Sequence, residues 1–222
     1  MKDNFFRILK TQCCAWLLAG AALTTTLYPS QSRAAEPTLQ GYVMHVQMTP
    51  AVCALDRRIA KQRKCLEGYA LTISGLIPET TAQNCRTNSS ATLSPLQSKV
   101  VVRVMPEKNV RVQLWQEVGG CVPMNASQYF RTIINLAERL KIPAELTGYE
   151  DRNISQNELR TQFLKLNPTL PSSGIRFNCQ KAKDRHILTE IQVCYKPDGH
   201  YKACSSQVVS NCPREFAIKG SY

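Results

Sequence analysis

The chain is short of the residues that catalysts and metal sites most often need. Its 222 residues hold three histidines, His45, His186 and His200, widely spaced in sequence. No two cysteines form a Cys-x-x-Cys pair, and their spacings suit no zinc site. Neither a metal nor any other cofactor is therefore expected. A membrane-spanning helix needs about 20 consecutive apolar residues. The candidate stretch, "CCAWLLAGAAL" from Cys13 to Leu23, falls short of that. No repeat recurs along the chain, and no linker is long enough to separate domains. Acids are the scarcer charge, 16 Asp+Glu against 28 Lys+Arg.

What is present at the front has the grammar of an export signal. Lys2, Arg7 and Lys10 precede the apolar stretch, and Ser32, Arg33 and Ala34 put small residues at the −3 and −1 positions of a cleavage site. The expectation is a signal peptide over residues 1–34 and one domain over 35–222, with no stable membrane insertion of the mature chain. A retained anchor is the alternative. Cys13 and Cys14 lack a lipoprotein context. Eight cysteines remain after residue 34, and an even number behind an export signal implies disulfides in an oxidising compartment.

Residues 1–34 carry four bases (Lys2, Arg7, Lys10, Arg33) and one acid (Asp3), so the rest of the chain has 24 bases against 15 acids, a surplus of nine. Such a surplus attracts RNA or another polyanion, and it equally suits a soluble basic exported protein. The one dense cluster, "RRIAKQRK", supplies Arg57, Arg58, Lys61, Arg63 and Lys64 as a candidate polyanion grip. A solvated helix face is the plainer reading of those residues.

Local patterns predict the elements. Gly41–Met48 and Tyr69–Leu76 read as strands, and Leu55–Gly68 as a short basic helix closed by Gly68. Asn84–Ser98, rich in Ser, Thr and Asn, reads as loop. Lys99–Met105 and Val110–Trp115 have strand-like composition. Asn125–Lys141 places Phe130, Ile133, Ile134, Ala137 and Leu140 on one helical face, with Asn125 and Gln128 as a capping pair. Ser155 and Glu158 form a second capping box, Ile154 and Leu159 its staple, and Asn167-Pro168 the stop. Gly174–Gln180 and Ile187–Tyr195 read as strands. The fold class is α+β, helices packed on a largely antiparallel sheet.

These pieces, in this order, resemble the ribonuclease T2 family over nearly all of the mature chain, and the bacterial exported members in particular. "HVQMTPAVC" (His45–Cys53) is similar to the family's first strand. "TISGLIP" (Thr72–Pro78) resembles the first catalytic segment, Thr-Ile-His-Gly-Leu-Trp-Pro. "LWQEVGGC" (Leu114–Cys121) resembles the second, Glu-Trp-x-Lys-His-Gly-Thr-Cys. "YFRTIINLAERLKIP", "NPTLPSSGIRFNC" and "LTEIQVCYKPDGHYKACSSQVVSNCP" follow the later helix and strand pattern. The resemblance implies a disulfide-stapled ribonuclease T2-like fold with Cys53–Cys65, Cys85–Cys121, Cys179–Cys212 and Cys194–Cys204 paired.

It also implies a chemistry that this chain cannot perform in the family's way. Cleavage of RNA by its own 2′-hydroxyl needs a base, an acid and groups that stabilise the phosphorane. Two histidines suit the proton transfers. Here the two histidine positions fall on Ser74 and Val118, the glutamate on Leu114 and the lysine on Glu117; the base-stacking tryptophan falls on Ile77. The expectation is a degenerate, non-cleaving member that binds an exported protein partner in the bacterial periplasm or outside the cell. The alternatives are a non-cleaving RNA or polyanion binder, or a residual ribonuclease using His45. His186 and His200 are expected to be exposed. Asn88, Asn125 and Asn153 lie in Asn-x-Ser sequons, which matter only in a eukaryotic secretory host.

Overall fold

The computed structural model describes residues 38–221. The predicted signal peptide over residues 1–34 lies outside them. No helix among the described residues is long and apolar enough to cross a membrane.

The chain enters through strand β1 (Leu39–Met48), turns into helix α1 (Thr49–Leu55) and the four-residue helix α2 (Arg63–Leu66), and returns as β2 (Leu71–Thr80). Helices α3 (Pro95–Val101), α4 (Lys108–Val118) and α5 (Ala126–Arg139) follow. Strand β3 (Arg152–Ser155) leads into α6 (Gln156–Leu166), then come β4 (Ile175–Ala182), β5 (Arg185–Tyr195) and β6 (Glu215–Ile218). The sheet runs β2-β1-β5-β6-β3, with β4 also paired to β5. Every pairing is antiparallel except the single contact Ile187–Ala217 between β5 and β6. The α+β architecture expected from the sequence is what the chain adopts.

Alternation along β1 decides what faces what. Tyr42, Met44, Val46 and Met48 are buried, Met44 and Met48 completely. They pack with Leu76, Tyr129, Phe130, Ile133, Phe177 and Ile191 in one continuous core. Burying each such side chain contributes about 1.5–3 kcal/mol before chain entropy is set against it. Val43, His45 and Gln47 take the other face.

Several boundaries differ from the sequence reading. The single basic helix over Leu55–Gly68 is not formed: α1 stops at Leu55, the chain turns, and only Arg63–Leu66 is helical. Gly68 does close that short helix, with φ +68° and the Tyr69 N–H donating to the Lys64 carbonyl at 3.2 Å, a left-handed C-terminal cap. The two strands read over Lys99–Met105 and Val110–Trp115 are helices. Their valines suggest strands, but Ser94 caps α3 by accepting the Gln97 N–H at 3.3 Å, and Pro95 stands in its first turn. In α4, Arg111, Leu114, Trp115 and Val118 recur at helical spacing and are the buried residues.

Helix α5 has its reciprocal capping box, Asn125 and Gln128 bonding each other's backbone at 3.0 Å. Its buried face is rotated from the expected one: Tyr129 and Leu136 are fully buried, while Ile134 and Ala137 only lean on the core. At α6, Ser155 accepts the Glu158 N–H at 3.1 Å, and Ile154 and Leu159 are both buried. The return bond from Glu158 is absent among the described residues, so this is half of the expected box. Four disulfides join Cys53–Cys65, Cys85–Cys121, Cys179–Cys212 and Cys194–Cys204.

Candidate functional site

The outward face of β1 meets the outward faces of β5 and β4. Register places His45 opposite Gln192 and Gln47 opposite Glu190 on β5, and places Arg176 and Asn178 of β4 beside Gln192 and Glu190. The result is a polar row on an otherwise apolar sheet. Of that row, His45, Gln47, Asn178, Glu190 and Gln192 floor a groove of about 640 Å³. A second cavity of about 350 Å³, holding Lys64 and Ser74, shares Gln47, Val52 and Gln180 with it.

Glu190 is the hub of the groove. Its Oε2 lies 3.1 Å from His45 Nδ1, and its Oε1 accepts from Gln192 Nε2 at 3.0 Å and Asn178 Nδ2 at 3.3 Å. Burial pushes its carboxyl up, but the His45 contact and the two amide bonds outweigh burial and hold it below the usual glutamate value. A carboxylate against Nδ1 fixes the N–H there, so Nε2 is the ring nitrogen left with a lone pair. The His45 side chain is 24% exposed, open enough to meet a ligand. The groove thus holds one oriented imidazole and two carboxylates, Glu190 beside His45 and Glu79, whose Oε2 is paired with Lys202 at 2.6 Å. Among its described lining residues there is no lysine or arginine.

The four positions that the resemblance aligns with catalytic groups do not meet in this groove. Ser74, on β2 at an irregularity in the β1 pairing, donates to the His45 carbonyl at 3.4 Å. Leu114 and Val118 are each 5% exposed and belong to the core. A Cβ at Gly75 would stand 3.4 Å from Leu114 Cδ1, which shows how closely that leucine packs on the strand. Glu117 faces solvent and accepts from Gln113 Nε2 at 3.0 Å. Ile77 is 38% exposed on the groove wall. His200 sits on an exposed turn with Nδ1 3.1 Å from Asp198, and His186 is half-buried on β5, away from the groove lining.

The basic cluster is dispersed. Arg58 pairs with Asp56 at 2.9 Å, and Arg63 pairs with Glu67 one turn on. Lys64 is 8% exposed and donates to Gln47 Oε1 at 2.9 Å. Burial pushes its ammonium down in pKa, and nearby Glu107 works against that. Only Arg57 and Lys61 remain exposed without an ion-pair partner among the described residues.

Sequence reasoning missed Glu190 as the partner of His45. The signal was present in "TEIQV", where Glu190 and Gln192 interrupt an apolar strand at every second position. What could not be read locally was the register that sets them beside His45.

No protein-family model and no curated protein sequence matches the chain. Solved structures do. Ribonuclease MC1 from bitter gourd seeds superposes with a TM-score of 0.64 at 15% identity, over 80% of this chain and 98% of that one. The Japanese pear S3-RNase gives 0.62 at 18%, over 82% and 100%. Trichomaglin, described as an S-like ribonuclease, gives 0.59 at 14%, over 81% and 97%. At those identities the likeness speaks of architecture, and the architecture of this chain is the ribonuclease T2-like fold.

Proposed function

We infer that this chain is an exported ribonuclease T2-like protein that acts by binding, without cleaving RNA. Four disulfides fit an exported protein, and the periplasm or the outside of a bacterial cell is the proposed location. The observation that carries the reading is the burial of Leu114 and Val118 in the core, at positions the resemblance gives to an acid and an imidazole. Neither side chain can carry a proton. Each missing acid or base removes about 10²–10⁴-fold in rate. The partner proposed is another exported protein, and the groove over β1, β5 and β4 is its contact site. The absence of lysine and arginine from the groove's described lining weighs against RNA phosphates as its occupant.

The second reading is a residual ribonuclease. The His45–Glu190 contact favours it, because a carboxylate-oriented imidazole is a serviceable general base. Incubating the purified, oxidised mature chain with RNA from acid to neutral pH separates the two. No cleavage above the buffer control supports the binding reading. Cleavage that persists through purification and vanishes in His45→Gln supports the residual enzyme. Capture of an exported protein, lost when Glu190 and Gln192 are changed together, supports the groove as the contact site.

A further inference from the structure

Away from that groove, on a flank of α4, hydrogen-bond donors outnumber acceptors. The loop between β2 and α3 folds over the helix and is tied down at three points. Cys85 is bonded to Cys121, the Thr87 N–H donates to the Gln116 carbonyl at 2.9 Å, and Trp115 Nε1 donates to both the carbonyl and the Oγ of Ser89 at 3.1 Å. Between loop and helix lies a cavity of about 570 Å³ lined by Ser89, Ser90, Thr92, Ser98, Lys108 and Arg111 among others. Its described lining contains two cations and no carboxylate.

Arg111 is the unusual member. It is 8% exposed, yet of its five N–H groups only one donates among the described residues, Nη1 to the Met105 carbonyl. No aspartate or glutamate lies within ion-pair distance of it among those residues. The nearest acid along its helix, Glu107, spends its Oε1 on the Lys64 backbone N–H at 2.9 Å and lines the other cavity. Burial accordingly pushes the guanidinium down in pKa, with Glu107 opposing and Arg63 adding to the shift. A buried, unpaired guanidinium is costly unless something answers it.

The hydroxyls lean the same way. Ser89 Oγ already accepts from Trp115 and from Thr87 Oγ1 at 3.0 Å, so its own proton is uncommitted. Ser90 donates to Thr92 Oγ1 at 2.7 Å, which leaves the Thr92 proton uncommitted. The Ser98 hydroxyl has no partner among the described residues. Guanidinium, ammonium and three hydroxyl donors around one cavity call for a ligand made of acceptors.

We propose that this pocket binds a tetrahedral oxyanion, a phosphate or sulfate group, held by the Arg111 fork and Lys108 and bonded by the Ser89, Thr92 and Ser98 hydroxyls. Arginine suits the role because its planar fork matches two oxygens at once. The pocket shares no lining residue with the strand groove, so it stands or falls apart from the question of RNA cleavage.

The test is a titration of the isotopically labelled, oxidised protein with inorganic phosphate against matched chloride, followed by NMR. A parallel arm uses a short oligoribonucleotide bearing a 5′-phosphate, to tell a free oxyanion from a nucleic-acid end. Saturable shifts are expected at the amides of Ser89, Ser90, Thr92 and Ser98 and at the Arg111 guanidinium. Affinity should fall about fivefold or more in Lys108→Gln and in Arg111→Gln, the loss expected for one charge-assisted bond. Since Arg111 also braces the Met105 carbonyl, its variant can fail to fold. Lys108→Gln and Thr92→Val, at exposed positions, carry the test in that event. Binding in one arm alone names the source of the phosphate and supports the site. Absence of shifts in both arms, or affinities unchanged in Lys108→Gln and Thr92→Val, overturns it.

Discussion

Glu190 shows how one side chain can organise a site. Three donors fill its two oxygens, and together they hold its carboxyl below the ordinary glutamate value despite burial. A depressed folded pKa means that this carboxylate contributes stability above its unfolded pKa, and that the contribution is lost as pH falls through the folded one. Hydrogen bonds to a charged group are worth about 1.5–3 kcal/mol, so Glu190→Gln should cost about that much at pH 7. The difference from the parent should close as pH drops below about 4, where glutamate protonates. Denaturant unfolding of both proteins across pH checks it. Val118 makes the complementary case. Placing an imidazole there sets a polar ring on the buried face of α4 that Leu114 and Trp115 share, with no partner supplied. Val118→His should destabilise by about 1–3 kcal/mol and bring no cleavage of RNA, since Leu114, Glu117 and Ser74 would still lack the remaining groups.

Elements with their own punctuation were legible in the sequence. Helix α5 was marked by its cap and its period, and Asn125→Ala should cost about 1 kcal/mol, read as a lower unfolding midpoint at unchanged slope. Helix α6 was marked by Ser155 and by Asn167-Pro168. The misread elements share a cause. In Lys99–Met105 and Val110–Trp115 the valines carry strand propensity, yet the local signals that win are Ser94-Pro95 at one helix start and the burial of every third or fourth residue in α4. Propensity of that size is overridden by packing. Strands β3 and β6 went unseen because each is four residues long and is defined by distant partners, Arg152–Ser155 against Glu215–Ile218 and Ala217 against Ile187. No local pattern of that length distinguishes a strand from loop. The basic stretch Arg57–Lys64 looked like one surface and is not, because a turn inserted after Leu55 sends Lys64 inward to Gln47.

Across the whole molecule, charge and covalent bridges are distributed with a bias that composition alone hides. The chain has 28 lysines and arginines, yet none among the described residues lines the strand groove, while Lys108 and Arg111 converge beneath the loop that Cys85–Cys121 pins to the end of α4. That bridge spans 36 residues, and removing it as the double Cys→Ser variant should cost about 3–4 kcal/mol by the loop-entropy account. It should also loosen the loop, so amide exchange over residues 84–93 should rise more than over β1 or β5. The fold was legible because the ordered segments and cysteines resemble a known family. The groove was only half legible: His45 could be picked out as a candidate, but its partnership with Glu190 needed the antiparallel register of β1 and β5. The central claim is that a ribonuclease-like framework here lacks the means to move protons at a phosphodiester. Its most direct measurement is the rate of RNA cleavage by the purified mature chain, disulfides intact, from pH 4 to pH 8. The account predicts a rate indistinguishable from buffer at every pH, in the parent and in His45→Gln alike. A rate that survives repeated purification, peaks in that range and disappears with His45 would contradict it.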